Sequence, residues 1–178
     1  MFKPKDESFV VYADADFSGN WDEHSAEIDS DTARSRSGFM IYYLGCPIMW
    51  KSQLQTEIAL SSTESEYICL SQALRKAIPI IELMREMADR GINVGTTTPT
   101  VKCTLFEDNS GALALSKAPA MRPRTKHINV KYHHFRTHVA NGTIDIQKVN
   151  TLDQWADMLT KANDVKTLKR HRKATMGW

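Results

Sequence analysis

A long amphipathic helix pattern between short β-type segments is the feature that most constrains the fold. From Tyr67 to Ile81, apolar residues recur at helical spacing and predict a helix with one buried stripe, bent near Pro79. Ser and Thr residues around Glu64 and Glu66 offer N-caps for its start. A helix with a single apolar face must bury that face against another element, and predicted strands precede and follow this helix. The pattern therefore predicts an α/β fold, with helices packed on the faces of a mixed sheet.

Five short segments rich in β-branched and aromatic residues are typical of strands. The predicted strands are 9–13, 38–44, 48–51, 101–107 and 143–149. The second and third are close enough to form an antiparallel hairpin around a Gly45–Pro47 turn. The other predicted helices are 112–117, 127–139, 151–161 and a basic turn or two within 165–173. We expect one domain over 1–162, a basic tail over 163–178 and an exposed loop over 21–37.

Composition excludes several classes of protein. With 178 residues, 42% hydrophobic and 25% charged, the chain has the make-up of one soluble globular domain and not of a membrane, collagen-like or disordered protein. Its net charge of +2 does not by itself demand a polyanionic partner. Three cysteines without C-x-x-C spacing predict neither a disulfide framework nor a zinc site, which fits a reducing compartment. The first residues lack a signal peptide's apolar stretch, and we expect the chain to be a piece of a longer polypeptide.

Acidic residues lie where two of the predicted strands end. Asp14 follows the first strand and Asp108 the fourth, and ligand sites in open mixed sheets form at such strand ends. Taken singly, each aspartate is better explained as a turn or helix cap, but the two together favour a site. On the long helix, a rotation of about 100° per residue places Glu66 at the border of the buried face and turns Glu64 toward solvent.

A fourth carboxylate is expected from the last predicted helix. Asp153 lies within a capping box and Asp157 does not, yet both share one helix face, so spacing leaves the choice open. Asp16 likewise faces the same side of its strand as Asp14. If these carboxylates converge, their mutual repulsion requires divalent cations, and oxygen-rich clusters suit Mg²⁺ or Mn²⁺. The sequence therefore predicts a metal site, and two such ions can support phosphodiester hydrolysis.

Seven short segments occur in a fixed order along most of the chain. They are Tyr-Ala-Asp-Ala-Asp-Phe-Ser-Gly (12–19), Ser-Arg-Ser-Gly-Phe (35–39), Trp-Lys-Ser (50–52), Ala-Leu-Ser-Ser-Thr-Glu-Ser-Glu-Tyr (59–67), Glu-Asp-Asn-Ser-Gly-Ala (107–112), Arg-Thr-Lys-His-Ile (124–128) and Asp-Gln-Trp-Ala-Asp-Met-Leu-Thr-Lys (153–161). Together they resemble the ribonuclease H domain that closes the polymerase polyprotein of copia-type LTR retrotransposons. The resemblance implies a ribonuclease H-like fold, with a five-stranded mixed sheet flanked by helices. It also implies an endonuclease that cuts the RNA strand of RNA·DNA hybrids during reverse transcription.

The resemblance further implies a set of site residues, cofactors and partners. The family's catalytic, metal-binding acids fall on Asp14, Glu66, Asp108 and Asp157. The implied cofactor is a pair of Mg²⁺ ions, with Mn²⁺ as an alternative, and the implied partners are an RNA·DNA hybrid and a reverse transcriptase domain. We expect the protein to be located in the cytoplasm, including virus-like particles, with the nucleus as an alternative, and we expect no membrane partner. The oligomeric state is left open. An acidic insertion over 21–31 and the lack of a histidine before the last helix depart from the family, so product release or proton transfer is expected to differ.

A basic segment is the expected contact with nucleic acid. Between Gly111 and Ile144 the chain has no Asp or Glu but many Lys, Arg and His residues, which favours salt-dependent binding to phosphates. The candidate nucleic-acid-binding residues are Ser35, Ser37, Trp50, Lys51, Ser52, Asn109, Ser110, Arg122, Arg124, Lys126 and His127. Trp50 is equally typical of a core position. His134 and His138 stand four residues apart but lack a third ligand, so no zinc site is assigned to them.

Two other functions remain open alternatives. The first is a catalytically inactive ribonuclease H-like domain that serves a polyprotein as a nucleic-acid-binding or structural module; the presence of all four acids argues against it. The second is DNA cleavage or strand transfer on the same fold, against which the Ser-Ser-Thr-Glu-Ser-Glu-Tyr helix (61–67) argues. Fold alone does not separate these activities.

Overall fold

The structure is a computed structural model that describes residues 9–25, 28–94, 102–118 and 130–177. The strands are β1 (Phe9–Asp16), β2 (Arg36–Tyr43), β3 (Cys46–Leu54), β4 (Cys103–Glu107) and β5 (Ile144–Lys148). The α-helices are α1 (Ser62–Asp89), α2 (Ser110–Lys117), α3 (Arg136–Ala140) and α4 (Val165–Met176). Short 3-10 helices span Ser30–Ala33, Val130–His133, Thr151–Asp153 and Trp155–Leu159.

The five strands form one mixed sheet in the order β3-β2-β1-β4-β5. The first three strands pair antiparallel, and β4 joins β1 and β5 in parallel. Residues of β1 alternate between two cores: Val11 and Ala13 pack toward α1, and Tyr12 packs toward the 3-10 helix Trp155–Leu159. The sheet thus has helices on both faces, and the predicted five-stranded mixed sheet is confirmed.

The β2–β3 hairpin turns one residue earlier than the sequence suggested. Tyr43 pairs with Cys46, so the turn consists of Leu44 and Gly45, which both have positive φ (53° and 75°). Two positive φ values are the signature of a two-residue type I′ turn, which matches the twist of the flanking strands. Pro47 therefore lies within β3, at the edge of the sheet, where its missing N–H is tolerated.

Two of the predicted helices are shorter and more irregular than expected. In place of one helix over 151–161, the 3-10 helices Thr151–Asp153 and Trp155–Leu159 follow each other, and Asn150, not Thr151, caps the first through its side chain. The described part of the predicted 127–139 helix contains a 3-10 helix and the five-residue α3. The expected loop 21–37 is also shorter, since β2 begins at Arg36.

The two longest helices pack on different parts of the sheet: α1 contacts β1 and β2, and α4 contacts β3 and the 3-10 helix Trp155–Leu159. Helix α1 continues through Pro79 and is capped at its start by the Ser61 hydroxyl, which accepts from the N–H of Glu64 (3.1 Å). Helix α4 is longer than the predicted basic turn or two, and its His171 is buried with Nε2 3.1 Å from the carbonyl oxygen of Leu152. In the described residues no helix combines the length and apolarity needed to cross a membrane.

Candidate metal centre

Three carboxylates converge where β1 and β4 separate. One oxygen each from Asp14, Glu66 and Asp108 lies within 4.8 Å of the others. Asp14 and Glu66 are buried and Asp108 is half-buried. These are three of the four acids predicted as metal ligands, and the alternative Asp16 is not part of the group.

A buried amide keeps the two strands apart at this point. β1 and β4 pair only as far as Tyr12 and Phe106. Beyond that pair, Gln154 Nε2 donates to the carbonyl oxygens of Ala13 (2.8 Å) and Phe106 (3.4 Å). Gln154 thereby satisfies backbone acceptors that would otherwise pair across the strands, and it opens the gap into which the carboxylates project. This role could not be predicted from the sequence, because glutamine is usually a surface residue.

The start of α1 positions Glu66. Glu64 is 8% exposed, and its Oε2 accepts from the N–H of Leu60 (2.9 Å), the residue before the N-cap Ser61, while the Ser61 hydroxyl accepts from the N–H of Glu64. The prediction that Glu64 points into solvent is therefore wrong, because the capping bond turns it back along the helix. Glu66 lies one half-turn further on, and its carboxylate accepts from the backbone N–H of Ala15, which ties the helix to β1.

Burial makes the carboxylates hard to ionise together. It raises the pKa of Asp14 to about 7, and the charges of Asp157 and Asp108 add to the effect, whereas a hydrogen bond from Thr160 and the charge of Lys161 oppose it. Burial, followed by the charges of Glu107, Asp14 and Asp108, also raises the pKa of Glu66 well above its ordinary value. A metal-free centre therefore binds protons near neutral pH, and a divalent cation can displace them.

A fifth carboxylate, Glu107, lies beneath the cluster. Its side chain is fully buried, and burial raises its pKa to about 8, with Asp108 and Asp14 adding to the effect. Oε1 accepts from the N–H of Asn109 (2.9 Å), while Oε2 has no hydrogen-bond partner among the described residues. The sequence analysis missed Glu107, although strand alternation carried the signal: with Cys103 and Leu105 buried toward α1, Glu107 faces the same way.

Asp157 lies beside the three-carboxylate group and is bound to a lysine. It is buried, and its Oδ1 lies 2.8 Å from Lys161 Nζ. Burial lowers the pKa of Lys161, but the hydrogen bond to Asp157 and the charges of Asp14, Asp157 and Asp108 outweigh it and raise that pKa. Asp153, the alternative from sequence, is half exposed and paired with Arg170 on α4. The structure thus turns Asp157 toward the cluster and Asp153 away from it.

A glycine allows the last ligand-bearing segment to approach β2. Thr160 Oγ1 donates to Asp14 Oδ2, and Gly38 is the β2 partner of Asp14. A Cβ at Gly38 would lie 2.7 Å from Thr160 Cγ2 and 2.8 Å from Leu159 Cβ, closer than such atoms approach. Only glycine therefore permits the contact that orients Asp14.

The donor set fits a hard divalent cation. Mg²⁺ binds oxygen at about 2.1 Å, so two ligands on opposite sides of one ion are about 4.2 Å apart. Adjacent ligands of one octahedral ion are closer, about 3.0 Å apart. The three carboxylate oxygens, which lie within 4.8 Å of one another, would therefore draw together around one ion or be shared between two. Glu66 Oε2 is buried without a hydrogen-bond partner among the described residues, and a bound cation would supply one. Asp14, Glu66 and Asp108 are therefore suited to hold an ion together, and Asp157 can join them if Lys161 moves away.

Two predicted nucleic-acid contacts are corrected to structural roles. Ser35 and Ser37 are buried. The Ser35 hydroxyl accepts from the N–H of Ser18 (3.3 Å), and that of Ser37 accepts from Gln55 Nε2 (2.8 Å). Neither hydroxyl can reach a bound phosphate, because both are used to join β2 to neighbouring loops.

The three residues Trp50–Ser52, predicted to contact nucleic acid together, lie on two different faces of β3. Trp50 is 62% exposed, so it is not a core residue, and Ser52 Oγ donates to the carbonyl oxygen of Leu159 (2.6 Å) on the same face. Lys51 pairs with Phe39 and points to the opposite face, where α1 packs. The three residues therefore do not form a single surface.

The remaining predicted contacts lie near the acids or outside the described residues. Asn109 caps α2 by accepting from the N–H groups of Gly111 (2.9 Å) and Ala112 (3.0 Å). Ser110 Oγ accepts from Lys148 Nζ (2.7 Å) at an exposed position. Arg122, Arg124, Lys126 and His127 lie outside the described residues.

Comparison with solved structures defines the class of fold. The N-terminal RNase H domain of rv2228c from Mycobacterium tuberculosis superposes with a TM-score of 0.55, over 95% of this chain and 99% of that domain, at 12% identity. LC11-RNase H1, solved in complex with an RNA/DNA hybrid, gives a TM-score of 0.51 over 90% of this chain and 99% of its own, at 14% identity. The chain therefore has the ribonuclease H fold, as its sequence predicted.

Sequence relatives show which proteins contain a segment like this chain. The chain is 35% identical over 154 residues to the retrovirus-related Pol polyprotein from transposon RE1 of Arabidopsis thaliana. It is 33% identical over 150 residues to the corresponding polyprotein from transposon TNT 1-94 of Nicotiana tabacum. The matches cover 86% and 84% of this chain but only 9% and 10% of the polyproteins. No family model matches the chain. The chain is thus a homologue of one segment of plant-transposon Pol polyproteins, in agreement with the resemblance drawn from its sequence.

Proposed function

We propose that this chain is a metal-dependent endonuclease that hydrolyses the RNA strand of RNA·DNA hybrids, as the ribonuclease H part of a Pol polyprotein. The observation that carries the proposal is the convergence of Asp14, Glu66 and Asp108 within 4.8 Å at the end of the sheet. The ribonuclease H fold and the Pol homology support it. The proposed cofactor is a pair of Mg²⁺ ions, and the proposed setting is reverse transcription in the cytoplasm.

The cation chemistry is that of two-metal hydrolysis. Asp14, Glu66 and Asp108 would hold a pair of divalent ions, which would supply activation of a water molecule and stabilisation of the 3′ oxygen that leaves. Because burial raises the pKa of Asp14 to about 7, the acids would release protons as such ions bind near neutral pH.

Residues around the acids fix their geometry. Thr160 orients Asp14 through its hydroxyl, and Gln154 holds β1 and β4 apart beneath it. Lys161 places a positive charge beside Asp157 on the open side of the cluster, since its side chain is 40% exposed. The phosphate of a bound strand approaches from that side, where Lys161 can compensate its charge.

Discrimination between duplexes rests on their shape. A hybrid has A-like grooves and one strand with 2′-hydroxyl groups, so recognition through backbone and 2′-hydroxyl contacts gives cleavage that tolerates many sequences. A hybrid, an RNA duplex and a DNA duplex, each end-labelled and incubated with Mg²⁺, test this directly. We expect cleavage of the RNA strand of the hybrid alone, and we expect Asp108→Asn to abolish it.

The same assay separates the alternatives. Binding of the hybrid without cleavage by the wild-type protein would identify an inactive nucleic-acid-binding module. Cleavage of the DNA duplex would identify a DNA nuclease or strand-transfer enzyme on the same fold. Cleavage that persists in Asp108→Asn would show that the acids are not the catalytic centre.

A further inference from the structure

A pocket lined largely by polar side chains lies on the α1 face of the sheet, away from the carboxylate cluster. It occupies about 270 Å³ between β3 and the middle of α1. Lys51 and Gln53 form one wall, and Gln72, Arg75 and Lys76 form the other. Strand alternation explains why Lys51 and Gln53 share a wall of the pocket, because residues two apart on a strand face the same side. Lys51 pairs with Phe39, which packs against α1, so both side chains lie on the α1 face.

The walls of the pocket are joined at its base. Gln53 Nε2 donates to Gln72 Oε1 (3.0 Å), which links the edge strand to the helix. The floor is formed by the buried rings of Phe39 and Tyr132. Gln72, Arg75 and Lys76 are three and four residues apart, so they share one side of the helix and face the strand.

The charges in this pocket are of one sign. Lys51, Arg75 and Lys76 all line it, and no carboxylate does so among the described residues. None of the three cations has an ion-pair partner in the part of the chain that the structure describes. Tyr132 directs its hydroxyl to Glu57 (3.1 Å), outside the lining. The three cations are exposed, so water screens their mutual repulsion, and an anion with several oxygens can contact more than one of them at once.

We propose that this pocket, which we call the α1–β3 pocket, binds a backbone phosphate of the nucleic acid whose scissile phosphate lies at Asp14, Glu66 and Asp108. The inference rests on the proposed function for the identity of the polyanion. Arg75 is nine residues beyond Glu66 on the same helix, or about 14 Å at a rise of 1.5 Å per residue. A duplex extends well beyond this distance, so a strand cut at the acids carries further phosphates that can reach the pocket.

Binding of a labelled RNA·DNA hybrid in EDTA tests the proposal without cleavage. The variant is Arg75→Gln with Lys76→Gln, and the control is Lys169→Gln with Lys173→Gln, which removes the same charge from exposed positions on α4. We expect the pocket variant to raise the Kd about tenfold and to reduce the slope of log Kd against log salt concentration by about one, for the single phosphate contact that is lost. The control should stay within about twofold of wild type. Lys51→Gln, on the opposite wall, should give a smaller loss in the same direction.

Several outcomes would overturn the inference. A pocket variant that binds like wild type shows that no phosphate lies there, and an equal loss in the control shows that only total charge matters. If binding of a polyglutamate peptide depends on Arg75 and Lys76 more strongly than binding of the hybrid does, the occupant of the pocket is an acidic polypeptide. Cleavage of the hybrid in Mg²⁺ is measured in parallel. If the protein cleaves the hybrid but the pocket substitutions do not weaken binding, only the proposed phosphate site is refuted. If the pocket substitutions weaken binding but the wild-type protein does not cleave, only the proposed function is refuted.

Discussion

The metal-free protein should lose stability as the pH rises, and Asp14 gives the clearest measure of this loss. Burial raises the pKa of its carboxyl from 3.8 to about 7 in the folded chain. Because the folded-state pKa is the higher one, the stabilisation is fully present below about pH 4 and is lost as the pH rises through about 7. A tenfold change in an acid dissociation constant corresponds to about 1.4 kcal/mol, so the shift of about three powers of ten corresponds to about 4 kcal/mol.

Thermal unfolding in EDTA between about pH 4 and pH 8 measures this loss. For a chain of this size, 1 kcal/mol moves the Tm by about 2–4 °C, so the Asp14 contribution is on the order of 10 °C. Asp14→Asn is the matched control, since it keeps the shape of the side chain and removes its titration. We expect the Tm of wild type to fall relative to that of Asp14→Asn as the pH rises, and saturating Mg²⁺ to reverse the fall. A difference between the two proteins that stays constant from about pH 5 to pH 8 would refute the reasoning.

Three further substitutions test the surroundings of the acids. Lys161→Met should tighten Mg²⁺ binding several-fold in calorimetry, because the lysine competes with the metal ion for Asp157. The same substitution should lower the free energy of unfolding of the metal-free protein by about 1–2 kcal/mol in denaturant titrations. Weaker Mg²⁺ binding by this variant would contradict the proposed role of the lysine. Gly38→Ala should lower stability by about 1–3 kcal/mol and impair cleavage, because its Cβ would lie 2.7 Å from Thr160 Cγ2; an unchanged Tm would contradict the close approach. Thr160→Val removes a hydrogen bond that lowers the pKa of Asp14, so Mg²⁺ binding should require a higher pH, and an unshifted pH profile would argue against that bond.

The sheet and three of the converging acids could be predicted from the sequence because they depend on local patterns. Asp14 and Asp108 follow the predicted β1 and β4 segments, and this position predicts both carboxylates near one end of a mixed sheet, although β1 continues through Asp16. Helical periodicity places Glu66 at the border of the buried face of α1. In the structure Glu66 lies within the carboxylate cluster.

What could not be predicted depends on contacts between distant segments. Gln154 and Ala13 are 141 positions apart, and no local pattern predicts that a glutamine holds two strands open. The 3-10 helix Trp155–Leu159 replaces a regular α-helix where the segment approaches β2 at Gly38, a constraint that helix propensity does not contain. Ser35 and Ser37 look like surface hydroxyls in sequence because their burial depends on the Gln55 and Ser18 loops that pack over them.

The central claim is that the carboxylates of Asp14, Glu66 and Asp108 together hold divalent cations. Isothermal calorimetry of Mg²⁺ with the isolated chain tests it without any substrate. We expect wild type to bind Mg²⁺ with release of protons near neutral pH, and Asp14→Asn to lose that binding while keeping a folded circular dichroism spectrum. Equal Mg²⁺ binding by the two proteins, or no binding by a folded wild-type chain, would contradict the account.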